Sequence, residues 1–129
     1  MVLNRTENYK TLVLGASDKR GRFSYLAIKS LVKHNVEVYA IGARAGQVDG
    51  ITISTDKIDL ANLHTVTLYL NPANQKSYID YMLNLKPKRI IFNPGTENPE
   101  LLKKARENGI EVVFDCTLVM LSNNSFFHG

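Results

Sequence analysis

Thr11-Leu12-Val13-Leu14-Gly15-Ala16-Ser17 is an apolar run of strand length that ends on a glycine and two small residues. Asp18-Lys19-Arg20-Gly21-Arg22 follows, and helical spacing begins near Phe23. Strand, tight turn and helix in that order open a nucleotide-binding βαβ unit, with the turn and the helix N-terminus supplying N–H donors to a phosphate. The next strand, Glu37-Val38-Tyr39-Ala40-Ile41, runs into Gly42-Ala43-Arg44. NAD sites place an acid there to hold a ribose 2′-hydroxyl. A cation in its place points to a nucleotide with an additional phosphate on its ribose.

Along the rest of the chain, apolar runs of four to six residues alternate with amphipathic segments, the pattern of βα units feeding a parallel sheet. Strands are expected at 11–15, 36–41, 51–53, 65–70, 89–93 and 111–115. Their Val, Ile, Leu, Tyr and Phe run continuously, as in strands buried on both faces. The helix at 23–34 places Phe23, Ala27 and Leu31 on one buried stripe, and a second helix spans about 74–85 before Lys86-Pro87. A third has Asn98 as N-cap, Pro99 at its first position and Gly109 beyond its end. Residues 42–64 read as a loop, a short edge strand and a helical turn or two near Ile58–Leu63. The expected fold is a Rossmann-like, three-layer α/β domain spanning 1–129, its core at about 10–121. Its mostly parallel sheet of five or six strands is expected in the order 3-2-1-4-5-6. The tail, 122–129, reads as partly disordered, although Phe126 and Phe127 offer surface for packing on the body or on a partner subunit.

The 129 residues leave no room for a separate substrate domain. The net charge of +4 is concentrated, since residues 1–44 carry eight Lys/Arg against three acids and the remainder carries eight against nine. Lys19, Arg20, Arg22 and Arg44 fall in loops at strand ends, with no long basic helix and no RNA-type aromatic motif. That placement favours one heavily phosphorylated small molecule over nucleic acid. One cysteine, Cys116, excludes an internal disulfide framework, and the absence of a long apolar run argues against a membrane span, so a cytoplasmic location is expected.

Ligands of open parallel sheets bind beyond the carboxyl ends of the strands, where strand order reverses. The loops concerned are Gly15-Ala16-Ser17, Leu70-Asn71-Pro72 and Asn93-Pro94-Gly95. Gly15 turns tightly, Ala16 and Ser17 leave space for a phosphate, and Asn71 and Asn93 present amides while Pro72 and Pro94 stiffen the loops beneath them. Both asparagines equally suit the role of helix cap. His34, His64 and His128 share no local motif, and no CxxC, HExxH or carboxylate pair occurs. Neither a catalytic nor a metal site is therefore expected. Cys116 reads as a buried structural thiol, because neighbouring Asp115 would raise rather than lower its pKa.

The chain resembles small stand-alone CoA-binding proteins and the CoA-binding domain at the N-terminus of the succinyl-CoA synthetase alpha subunit. The resemblance runs from about Lys10 to Leu121. It is carried by the Val13–Ser17 turn with its basic, small-residue loop, by the strand Val36 to Ile41 followed by a basic residue, by Asn93-Pro94-Gly95, and by Gly109 to Cys116. It implies that the first turn meets the CoA phosphates and that the cation after the second strand lies near the ribose phosphate. Gly42-Ala43-Arg44 stands here where the family has an Asn-Pro pair followed by Lys. Non-catalytic binding of CoA or an acyl-CoA is thus expected at Gly15, Ala16, Ser17, Lys19, Arg20, Arg22, Arg44, Asn71, Pro72, Asn93, Pro94 and Gly95. The alternatives are an NADP-binding oxidoreductase-like module, and a subunit without ligand that completes an acyl-CoA synthetase supplied by another chain. A basic nucleic-acid binder is the remaining one.

Overall fold

The computed structural model describes residues 8–128. β1 (Thr11–Leu14) lies at the centre of the sheet, with every residue buried. Successive side chains of a strand point to opposite faces, so Val13 joins one core while Leu12 and Leu14 join the other. The first core is closed by Ile28 and Leu31 of α1 (Phe23–Lys33), together with Met120 and Leu121 near the C-terminus. Helices from the second half of the chain close the other. This is the three-layer arrangement that continuous apolar strands require.

β2 (Val38–Ile41) and β5 (Thr65–Leu68) flank β1 in parallel, and β6 (Arg89–Phe92) and β7 (Glu111–Phe114) continue beyond β5. On the other side, β4 (Ile51–Ser54) pairs parallel with β2, and β3 (Gly46–Val48) pairs antiparallel with β4 at the edge. The order is β3-β4-β2-β1-β5-β6-β7, which contains the expected 3-2-1-4-5-6 pattern and adds one edge strand. The addition is a hairpin closed by Asp49-Gly50, both with positive φ (48° and 83°), the backbone of a two-residue turn.

Several local expectations are corrected. The second helix is three pieces: α2 (Pro72–Gln75), a 3-10 turn (Lys76–Tyr78) and α3 (Ile79–Leu85). It begins two residues earlier than expected because Asn71 caps it, its side chain accepting from Asn74 N–H at 2.9 Å. Ile58–Leu63 forms no helix. That segment is strapped on by side chains instead, with Lys57 Nζ donating to the Ser77 carbonyl at 2.6 Å and Lys10 Nζ to the Ala61 carbonyl at 2.8 Å. α4 (Pro99–Glu107) has the expected ends, with Asn98 accepting from Glu100 N–H and Gly109 at φ 71°.

α5 (Thr117–Ser122) was not expected, and the chain continues into a 3-10 turn at Ser125–Phe127. The tail packs on the body, with Phe126 and Phe127 buried. The Tyr9 and Phe127 rings meet edge-on at 5.3 Å, and Arg89 lies 4.5 Å over the Phe126 ring while donating to its carbonyl at 2.9 Å. Phe23 departs from its expected stripe: it is the first residue of α1 and is 69% exposed.

Candidate functional site

The loops after β1 and β5 diverge at the carboxyl end of the sheet, and between them opens a crevice of about 710 Å³. Its floor is the turn after β1. Gly15 and Ala16 both donate their N–H to the Ile41 carbonyl at 2.9 Å, which ties the turn to the end of β2. Gly15 has φ 96°, and a Cβ there would lie 2.8 Å from the Tyr69 carbonyl carbon. Glycine is thus demanded twice at that point, by conformation and by the approach of the β5 backbone. Gly42 is demanded by space, since its Cβ would run into the Ala16 carbonyl oxygen.

Ser17 Oγ accepts from Lys19 N–H at 3.1 Å, which leaves its own O–H as a donor. At the head of α1, Arg22 occupies the N-cap position with no side-chain cap, and the first turn carries no acid. The first-turn N–H groups and the positive end of the helix dipole are consequently open to an anion. Lys19, Arg22 and Arg44 stand around this point among the crevice-lining residues, and Asp18 is the one carboxylate there. Asp18 is held back against the hairpin, where its Oδ2 fills the place that a side chain on Gly46 would take. The cations therefore dominate the field over the floor.

The residues that line the opposite flank are uncharged. They are Tyr69, Leu70, Asn71 and Asn74 after β5 and Pro94, Gly95 and Thr96 after β6. Burial pushes the Tyr69 phenol up to about 12, with a smaller contribution from nearby Cys116, so it stays protonated throughout the neutral range. Gly95 N–H is engaged by the Glu97 carboxylate at 3.0 Å.

Of the twelve residues singled out in the sequence, Gly15, Ala16, Ser17, Lys19, Arg22, Arg44, Asn71, Pro94 and Gly95 line this crevice, while Arg20, Pro72 and Asn93 do not. Arg20 and Pro72 are exposed outside it. Asn93 is 2% exposed, and its amide is consumed inside the protein. Nδ2 donates to Thr67 Oγ1 at 2.7 Å and to the Leu68 carbonyl at 2.8 Å, and Oδ1 accepts from Thr117 N–H at 2.8 Å. It supports the crevice wall from behind instead of lining it. Cys116 is half-buried at the head of α5 rather than sealed in the core, its N–H bonded to Asp115 Oδ1 at 2.7 Å. Phe23, Tyr69, Asn74 and Thr96 line the crevice unanticipated. For Tyr69 and Asn74 the signal was their adjacency to the Leu70-Asn71-Pro72 loop.

Among the described residues no group of three His, Cys, Asp or Glu could hold a metal ion, and no helix is long and apolar enough to cross a membrane.

The sequence matches the CoA binding domain over residues 9–122. No curated protein matches it. Among solved structures, an uncharacterized protein shares 50% identity over 91% of this chain and 97% of its own, with a TM-score of 0.88. A hypothetical protein from Pyrococcus horikoshii OT3 shares 26% identity over 92% of this chain and 85% of its own, at a TM-score of 0.82. The cell-free ID.343 protein from Thermus thermophilus shares the fold at 18% identity and a TM-score of 0.74, over 92% of this chain and 90% of its own. With the match covering nearly its whole length, the chain belongs to the family of CoA-binding domains.

Proposed function

We propose that the crevice binds coenzyme A, free or acylated, reversibly and with no chemistry contributed by this chain. The observation that carries the reading is the convergence of an uncapped helix N-terminus, a glycine turn and three cations on one side of a single crevice. In this reading the pyrophosphate lies over the small residues of the Gly15-Ala16-Ser17 turn and against the first turn of α1, whose N–H donors and helix dipole favour an anion. Lys19 and Arg22 add charge at the rim, and Arg44, carried by the loop after β2, meets the phosphate on the ribose 3′-hydroxyl. The uncharged flank takes the rest of the molecule. Among the described residues no histidine or cysteine lines the crevice, and the buried Tyr69 phenol, pushed up to about 12, keeps its proton near neutral pH.

Thermal unfolding with CoA, dephospho-CoA, NAD and NADP at matched concentrations tests this. CoA at a hundred times its dissociation constant stabilises the folded chain by about 2.7 kcal/mol. Dephospho-CoA gives a smaller shift and NAD none. A response to NADP equal to or larger than that to CoA, or no response to CoA, overturns the assignment.

A further inference from the structure

Gln75 closes α2, and none of its surface is exposed. Its Nε2 donates to two carbonyl oxygens, that of Leu70 at 2.8 Å and that of Thr96 at 2.7 Å. Leu70 and Thr96 both line the crevice, on loops that follow two different strands. One side-chain amide therefore spans the two loops of the uncharged flank and fixes their separation.

The orientation of that amide is itself held. Asn98 commits its Oδ1 to Glu100 N–H at the head of α4, which leaves its Nδ2 to face Gln75. A nitrogen donor requires an acceptor opposite, and Gln75 Oε1 accepts from it at 2.9 Å. With its oxygen turned to Asn98, Gln75 presents both N–H donors to the loop carbonyls. Its amide donates twice and accepts once within the protein, and Gln75 is not among the crevice-lining residues.

The flank it holds differs in chemistry from the rest of the site. Lys19 and Arg22 lie after β1 and Arg44 after β2, whereas the Gln75 side offers the exposed side chains of Asn71 and Asn74. Asn71 uses its Oδ1 on the α2 N-terminus, and the cap makes no use of its Nδ2. Side-chain amides on a flank whose lining residues carry no charge suit an uncharged chain that itself carries amide groups.

We propose that Gln75 is the positioning residue for the amide-bearing pantetheine arm of the ligand: it sets the gap between the Leu70 and Thr96 loops without touching the ligand. This rests on the CoA reading and adds to it a division of labour, in which the nucleotide half of the ligand is recognised independently of Gln75.

Isothermal titration of the full chain with CoA and with adenosine 3′,5′-bisphosphate, which has the ribose 3′-phosphate and the inner 5′-phosphate but neither the outer phosphate nor the arm, tests the division. Gln75→Met keeps the volume and removes both donors. It lowers the affinity for CoA about tenfold, the size of one lost hydrogen bond's worth of alignment, and leaves the bisphosphate within about twofold. Asn98→Ser retains a capping oxygen for α4 but releases the Gln75 oxygen, and it shifts CoA in the same direction with the bisphosphate again unmoved. It decides the matter if Gln75→Met does not fold. Equal losses for the two ligands, or no loss for CoA, overturn the proposal. An unmodified chain that binds the bisphosphate as tightly as CoA also overturns it while sparing the nucleotide site, and one that binds neither ligand overturns the CoA reading itself.

Discussion

Arg44 bears the most specific assignment of any single residue in the site. It is exposed on the loop between β2 and β3, where it costs little to hold a cation and where a ligand phosphate can reach it. Its guanidinium offers two parallel donors to phosphate oxygens, a geometry that a lysine ammonium does not reproduce. Arg44→Ala is expected to weaken CoA binding about tenfold and to leave dephospho-CoA almost unchanged, because the removed interaction involves only the 3′-phosphate. Arg44→Lys recovers part of the loss. The check is a pair of titrations per variant, and a variant that loses both ligands equally assigns Arg44 to the pyrophosphate instead. The charge of this residue and its place at a strand end were legible in the sequence, since both follow from local pattern. The role of Asn93 was not, because nothing in Asn93-Pro94-Gly95 tells which way the amide turns once β5, β6 and α5 are brought together.

Elements were legible in proportion to how far their own residues determine them. β1, β2 and β6 are short runs dominated by apolar side chains with both faces covered, a condition the sequence displays directly. The edge strand β3 has three residues, Gly46, Gln47 and Val48, with only Val48 buried, so its pairing comes from the Asp49-Gly50 turn and from β4 rather than from its own composition. α5 has six residues, a short and nearly continuous apolar run whose sequence alone does not separate helix from strand. Its start is fixed by Asn93 from another element, through the bond to Thr117 N–H. Asn93→Ala therefore leaves the Thr117 N–H and the Leu68 carbonyl without the bonds Asn93 gives them, where water has little access, while the Thr67 hydroxyl keeps only its bond with Thr117 Oγ1. A loss of about 3 kcal/mol is expected in denaturant unfolding, the usual scale for several buried polar groups left unpaired. A loss under about 0.5 kcal/mol, the level of an ordinary surface change, shows that α5 is positioned by its apolar packing alone.

Over the whole molecule, the sheet order converts a charge bias in the sequence into a site. β1 and β2 are central neighbours, so the cations that follow them in the chain come together at one end of the sheet, facing loops from the neutral remainder. The two cores on either side of that sheet each bury a tyrosine at their margin, Tyr69 against the first and Tyr81 against the second. Both phenols are pushed up to about 12 from an ordinary 10.0, mainly by burial. Below pH 10 the phenols are protonated whether the chain is folded or unfolded, and they add no pH dependence. Between about pH 10 and 12 the unfolded chain loses these protons while the folded chain keeps them, so stability falls as pH rises through that window. For the more deeply buried Tyr69 the loss amounts to about 2 kcal/mol. Tyr69→Phe removes the ionisable group at nearly constant volume, so its stability relative to the unmodified chain should improve by about that amount on going from pH 9 to 12. Denaturant unfolding at a series of pH values measures the difference, in which the lysines and other tyrosines common to both chains cancel. Parallel curves for the two chains show that Tyr69 ionises as freely in the folded state as in the unfolded one, and that the floor of the crevice beside it is open to water.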